Sequence, residues 1–173
     1  VLGAYTFSKS TDNGSGIRTL GTDPLNPQNS YCLSCEDGPS VFDQRHRFVT
    51  SVVYDLPFGP GRKYLSEGAL GKAIGGWKLT SVVTIGSGFP LTVGAGEDTA
   101  NIGNCCRPNR VAGVDTALDD PTVARWFDTA AFSRAAAGTF GTAGRGEVIG
   151  PGIMNWDFST SKDFHVTDTN YFQ

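Results

Sequence analysis

The residues with the widest chemical options are the four cysteines, which fall in two tight groups. Cys32-Leu33-Ser34-Cys35 has the spacing with which two thiolates grip one zinc ion, and Cys105 and Cys106 would complete a four-thiolate set. Adjacent cysteines, however, rarely direct both sulfurs at one tetrahedral ion, and a zinc ribbon would repeat the C-x-x-C spacing. Both groups lie in stretches rich in Gly, Pro, Asn and Asp, so disulfides made in an oxidising compartment are the better reading. A bridge from Cys32 or Cys35 to Cys105 or Cys106 would tie two long loops together, and spacing alone leaves the pairing open.

A second cluster, Arg45-His46-Arg47, closely follows Asp43. Two cations flanking an imidazole suit an anion or ligand contact, and the same residues suit a rim salt-bridge cluster with Asp43. His165 falls in a brief turn and reads as solvated. The acid pairs Glu36-Asp37 and Asp119-Asp120 sit in loops, where solvation is a stronger reading than calcium binding. Gly59-Pro60-Gly61-Arg62-Lys63 contains proline and lacks the Ser or Thr that follows a phosphate-loop lysine, so it is a turn. Asn13-Gly14-Ser15 is a glycosylation acceptor only in a host that modifies such sites. No G-x-S-x-G elbow, H-E-x-x-H helix or Walker loop occurs. The sequence therefore predicts no catalytic residue, no metal site, no cofactor and no enzyme.

These residues sit in a chain of strands and loops. The 173 residues include 23 Gly, 9 Pro and 11 Phe against one Met, and 18% are charged, below the usual share of about a quarter. Turn formers and aromatics dominate, as when strands are joined by irregular loops. A net charge of −3 offers no basic field for nucleic acid. No apolar run is long enough for a transmembrane helix, which leaves membrane strands open because their alternation hides from such a scan. Val1 opens directly into strand-like sequence, which reads as a mature or truncated product.

Alternation with a period of two marks strands near 1–8, 46–55, 77–86 and 154–164. The sharpest puts Trp77, Leu79, Val83 and Ile85 on one face, with Ser81 the exception, against Lys78, Thr80, Val82, Thr84 and Gly86. In 46–55, Val49 and Val53 blur the polar face. The connections run long (9–43), short (56–76), long (87–153) and short (165–169). Long loops without regular structure are unusual in compact soluble domains and ordinary on the outer rim of a membrane barrel. Within the longest, Asp119 to Phe127 resembles a short helix capped by Asp120 with Pro121 in its first turn. The glycines after it, from Gly138 to Gly152, imply an irregular return. Tyr54, Trp77 and Phe164 would all lie at the short-turn rim, as membrane-interface aromatics do; a soluble sandwich with aromatics at its core edge is the other option.

The chain is thus expected to be a single β-rich segment, 1–173, all-β, with antiparallel up-and-down strands and long irregular loops on one rim. The alternative is a β-sandwich-like subunit completed by strands from neighbouring copies.

The string Phe42-Asp43-Gln44-Arg45-His46-Arg47-Phe48, followed by Tyr54-Asp55-Leu56-Pro57-Phe58-Gly59, resembles the C-terminal barrel of TonB-dependent-receptor-like proteins. The likeness is to the Oar-like subgroup, abundant in Acidobacteria and usually bearing an N-terminal carboxypeptidase-regulatory-like domain. Gly75-Gly76-Trp77, Ser87-Gly88-Phe89-Pro90-Leu91, Arg107-Pro108-Asn109, Trp126 to Phe132, and Gly150-Pro151-Gly152 before Asn155-Trp156-Asp157 extend the match in order along nearly the whole chain. The resemblance implies a bacterial outer-membrane barrel with a plug, moving a substrate inward with energy relayed by TonB. Its partners would be outer-membrane lipid and the remaining strands of a longer chain. Arg45, His46, Arg47, Trp126 and Phe127 would be candidates for contact with incoming substrate. The chain departs from that pattern in having four full strands, no plug and no TonB-box region. A fragment reused as an extracellular subunit, pairing strands with identical copies in a fibre, is the other reading.

Overall fold

The computed structural model describes residues 1–15, 27–59, 62–103, 106–165 and 171–172. Four strands, β1 (Leu2–Phe7), β2 (His46–Asp55), β3 (Trp77–Gly86) and β4 (Ile153–Lys162), form one sheet in the spatial order β1-β2-β3-β4. Neighbours in the chain are neighbours in the sheet, the up-and-down arrangement that the order of long and short connections predicts. Valines and threonines concentrate in β2 and β3, where a pleated surface suits branched side chains.

Register turns the alternation into two faces. β2 pairs antiparallel with β3 from Arg47↔Gly86 to Asp55↔Lys78, and β4 pairs antiparallel with β3 from Ile153↔Gly86 to Lys162↔Trp77. Rows of cross-strand partners such as Phe48–Ile85–Met154 and Thr50–Val83–Trp156 therefore share one face, with Val52, Phe158, Tyr54, Leu79 and Trp77. A Cβ on Gly3 would lie 4.0 Å from Thr50 Oγ1, which puts Gly3, and by alternation Tyr5, on this same side. Ser81, the exception in the pattern, accepts a 2.9 Å hydrogen bond from the Trp156 indole. The opposite, mostly polar face carries the rows Val49–Thr84–Asn155, Ser51–Val82–Asp157, Val53–Thr80–Ser159 and Asp55–Lys78–Ser161.

Neither face is covered by the described residues. Met154, Trp156 and Phe158 are 71%, 65% and 57% exposed, and no large side chain of the four strands is buried. Among the described residues this sheet is a single layer, and its strands close no barrel.

The chain divides into two compact units. The sheet unit comprises 1–6, 47–86 and 153–173, and the loop unit comprises 7–46 and 87–152. Within the sheet unit, the 56–76 connection contains a helix, α1 (Gly68–Ile74), where the sequence suggests only a connection.

The loop unit has little regular structure: three short ladders pair Thr11–Asp12 with Gly38–Pro39, Pro90–Leu91 with Val148–Ile149, and Asn109–Arg110 with Phe132–Ser133. Its buried apolar residues are small ones, Ala131, Ala135, Ala143, Val148 and Cys106. The helix expected from Asp119 to Phe127 does not form. Thr122 N–H donates forward to the Arg125 carbonyl at 2.9 Å, the reverse of helical polarity, and Arg125 N–H returns the bond at 3.2 Å. Downstream, the Trp126 indole donates to the Ile149 carbonyl at 2.8 Å, so tertiary bonds override the local helix signal.

Candidate functional site

With so small an apolar core, polar contacts hold the loop unit together, and they converge on Glu36. This residue ends the 3-10 turn Leu33–Glu36, is 1% exposed, and receives both prongs of the Arg107 guanidinium at 2.6 and 3.0 Å. Arg107 is itself 4% exposed, and its Nε donates to the Ala143 carbonyl at 2.8 Å. Gln28 closes the group: its N–H donates to Glu36 Oε1 at 3.1 Å, its Oε1 accepts from Arg107 N–H at 2.7 Å, and its Nε2 donates to the Gly141 carbonyl at 2.9 Å. A side chain at Gly141 would overlap the carbonyls of Arg107 and Pro108, so only glycine lets the return segment pass this close.

Arg145 extends the network. Its Nη1 donates to the carbonyls of Glu36 and Asp12 at 2.8 and 2.9 Å, and its Nη2 donates to Asp12 Oδ1 at 2.9 Å and Ser15 Oγ at 3.1 Å. Burial would raise the Asp12 pKa, but hydrogen bonds from Ser15, Arg145 and Ser40, with the Arg145 charge, outweigh it and hold the carboxyl below its ordinary value. Arg110 Nε lies 3.2 Å from Glu147 Oε2 without hydrogen-bond alignment, while Glu147 Oε1 accepts from Gly144 N–H at 2.6 Å. Charges buried in such number are tolerable because each is paired and hydrogen-bonded.

This arrangement bears out a disulfide reading for Cys32 and Cys35, whose pairing the sequence leaves open, and corrects the reading of Glu36. Cys32 is bonded to Cys35, so their sulfurs neither hold zinc nor bridge to the second cysteine pair. Cys106 is also in a disulfide, and Cys105 lies outside the described residues. The Glu36–Arg107 pair, each member adjoining one cysteine group, makes the loop-to-loop link that a bridge between the two groups would have made. Glu36, read as a solvated loop acid, is among the most buried side chains described. Sequence reasoning passed over Gln28, Arg107 and Arg145 as site residues, since isolated polar residues among glycines and prolines carry no periodic signal.

The proposed ligand contacts occupy separate surroundings. Arg45 pairs with Asp43 at 3.2 Å and lies 6.0 Å from the Phe7 ring, and His46 packs against Phe7 at 5.2 Å between centroids. Ser87 fixes the backbone here, its hydroxyl accepting from His46 N–H at 3.1 Å. Arg47 starts the polar face of the sheet opposite Gly86. Phe127 packs edge-on to Phe132 at 5.8 Å, and both line a cleft of about 320 Å³ with Val93, Pro108, Glu97 and Arg134. Glu97 and Arg134 form a two-pronged ion pair at 2.6 and 2.7 Å.

Tyr54, Trp77 and Phe164 gather at one end of the sheet unit. Lys162, paired across from Trp77, holds its ammonium 5.6 Å from the Trp77 ring centre and 5.1 Å from that of Phe164, and donates to the Ala73 carbonyl at the end of α1. The His165 side chain and residues 166–169 of the short turn lie outside the described residues.

No curated protein and no solved structure is significantly similar to this chain. A family model described as an outer membrane beta barrel domain matches residues 1–173, and that family points to the bacterial outer membrane. With a single-layer sheet, one apolar face and long irregular loops, the chain belongs to the outer membrane beta barrel domain family.

Proposed function

We propose that the chain forms part of the wall and loops of a TonB-dependent-receptor-like barrel of the Oar-like kind, which binds or takes up a substrate at the cell surface and is not an enzyme. The observation that carries this reading is the uncovered apolar face, in register over β2, β3 and β4. Lipid would cover that face, while the polar rows around Asn155 and Asp157 would face the lumen. Closing a barrel takes about eight strands or more, so the remaining strands would come from a longer chain. Tyr54, Trp77 and Phe164 would sit at a membrane interface with Lys162 reaching toward water. Of the candidate ligand contacts, Arg47 on the lumenal face and Phe127 in its cleft would meet substrate. Arg45 and Trp126 hold the loops instead, through Asp43 and the Ile149 carbonyl.

Two measurements test this. In vesicles containing brominated lipid, a variant retaining Trp156 as its single tryptophan should be strongly quenched, whereas one retaining Trp126 should not. Equal quenching, or recovery of the native protein in buffer without detergent, would refute the wall assignment. Uptake that persists in cells lacking TonB would refute the energised-transport part alone.

The outer edges of β1 and β4 are unpaired within the described sheet, which also supports a second reading, an extracellular subunit pairing strands with identical copies in a fibre. Cryo-microscopy of the native material separates the two: a helical array of short identical chains favours the fibre, and a single barrel in a micelle excludes it.

A further inference from the structure

The Cys32–Cys35 bridge closes a ring that coincides with a single 3-10 turn, in which Cys35 N–H donates to the Cys32 carbonyl at 3.2 Å and Asp37 N–H to the Ser34 carbonyl at 3.3 Å. A ring this short restrains the unfolded chain far less than a long loop would, so its effect on global stability through chain entropy is small. Its effect is local. The turn delivers Glu36 to the loop clamp, and Glu36 makes four bonds there: two from Arg107, one from Gln28 N–H, and one from Arg145 to its carbonyl. Chemically, the bridge stands apart from that clamp. Cys35 is exposed and Cys32 half-buried, while the next residue, Glu36, is sealed. A reagent in solution can therefore reach the disulfide without first opening the structure that depends on it.

We infer that Cys32–Cys35 is a thiol–disulfide exchange site whose redox state sets the tightness of the Glu36–Arg107 clamp, and that its reactant is a dithiol. One thiolate of the dithiol attacks Sγ of the exposed Cys35, breaking the S–S bond and forming a mixed disulfide there. The electron pair of the broken bond leaves on Cys32 Sγ. Ser34 Oγ lies 3.8 Å from that sulfur and, since a bridged sulfur carries no proton, the hydroxyl is the donor; it is in place to steady the departing thiolate. The second thiol of the reductant then attacks its own mixed sulfur and releases Cys35. The dithiol ends as a cyclic disulfide, two electrons have passed to the protein, and its two protons end on Cys32 and Cys35. Without the bridge, the turn is held by its backbone bonds alone, and the clamp opens more often.

The test uses the full-length protein in detergent, with Cys105→Ser and Cys106→Ser substituted so that Cys32–Cys35 is the only disulfide of this segment that can respond. Dithiothreitol is the probe. Alkylation followed by mass spectrometry should show Cys32 and Cys35 modified under conditions where the sheet stays protected. Amide hydrogen exchange at 28–37 and 106–108 should then accelerate by about tenfold or more, with β3 unchanged. A Cys32→Ser, Cys35→Ser protein should show the same fast exchange without reductant. The inference is overturned if the bridge resists dithiothreitol until the protein unfolds, or if it is reduced and exchange at the clamp does not change. Should the serine background fail to fold, the wild-type protein serves: exchange at the clamp must then track alkylation of Cys35, and any lack of correlation rejects the coupling.

Discussion

Glu36 and Arg107, separated by 71 positions in the chain, meet in a two-pronged pair from which water is almost wholly excluded. Removing one partner of such a pair leaves an uncompensated buried charge, which costs about 3–5 kcal/mol, whereas replacing both with apolar groups of similar size is often far less damaging. Arg107→Met alone should therefore loosen the loop unit severely, and Glu36→Leu with Arg107→Met should recover much of the loss. Hydrogen-exchange protection at 28–37 and 106–108 reads this directly. A double variant as loose as the sum of the singles would show that the two side chains act independently.

The two faces of the sheet make the second prediction. Val83 and Thr84 are neighbours on β3 with opposite orientations, one between Thr50 and Trp156, the other between Val49 and Asn155. If lipid covers the apolar face, Val83→Arg near mid-strand should cost about 2–4 kcal/mol of folding stability in bilayers, and Thr84→Arg close to nothing. Denaturant titration in lipid vesicles measures both. Equal penalties would remove the distinction on which the wall assignment rests.

These two predictions also mark what was legible in the sequence and what was not. Alternation from Trp77 to Ile85 is a local signal, because each residue's face follows from its parity along the strand, and the register with β4 merely repeats it. Val49 and Val53 blurred β2, and the register explains them: they sit among Thr84, Asn155, Thr80 and Ser159, where a valine is tolerated without defining the face. The clamp left no such trace. Glu36 beside Asp37 has the composition of a solvated loop, and its burial is decided by Arg107, Gln28 and Arg145 arriving from distant segments. The helix expected from Asp119 failed for the same reason, its capping signals being local and the Trp126–Ile149 bond not.

Glycines of the loop unit differ in what they permit. Gly141 faces the Arg107 and Pro108 carbonyls with no room for a methyl group, whereas Gly94 has open space around it and an ordinary backbone. Gly141→Ala should push the return segment off the clamp at a cost of about 1–3 kcal/mol or more, and Gly94→Ala should be nearly silent. Thermal unfolding of the two variants in one detergent gives the comparison. A silent Gly141→Ala would mean that the Gln28–Gly141 bond can shift without consequence.

Acid should weaken the loop unit through Asp12. Its carboxylate is held below the ordinary aspartate value, the bonds from Ser15, Arg145 and Ser40 prevailing over the opposing effect of burial. A depressed carboxyl contributes stability that is fully present above its unfolded pKa. That contribution fades as pH falls through the unfolded and then the folded value, because the unfolded chain takes up the proton first. The Arg145 network should therefore lose protection on acidification below the usual aspartate range, with no gain between there and neutrality from this group. Asp12→Asn should lower stability at neutral pH by about 1.5–3 kcal/mol, the worth of a hydrogen bond to a charged group. It should also flatten the acid limb of the profile. Hydrogen exchange at 11–15 and 144–146 across a pH series, corrected for the intrinsic rate, compares the two proteins. Parallel acid limbs in wild type and Asp12→Asn would assign the acid sensitivity to other carboxylates.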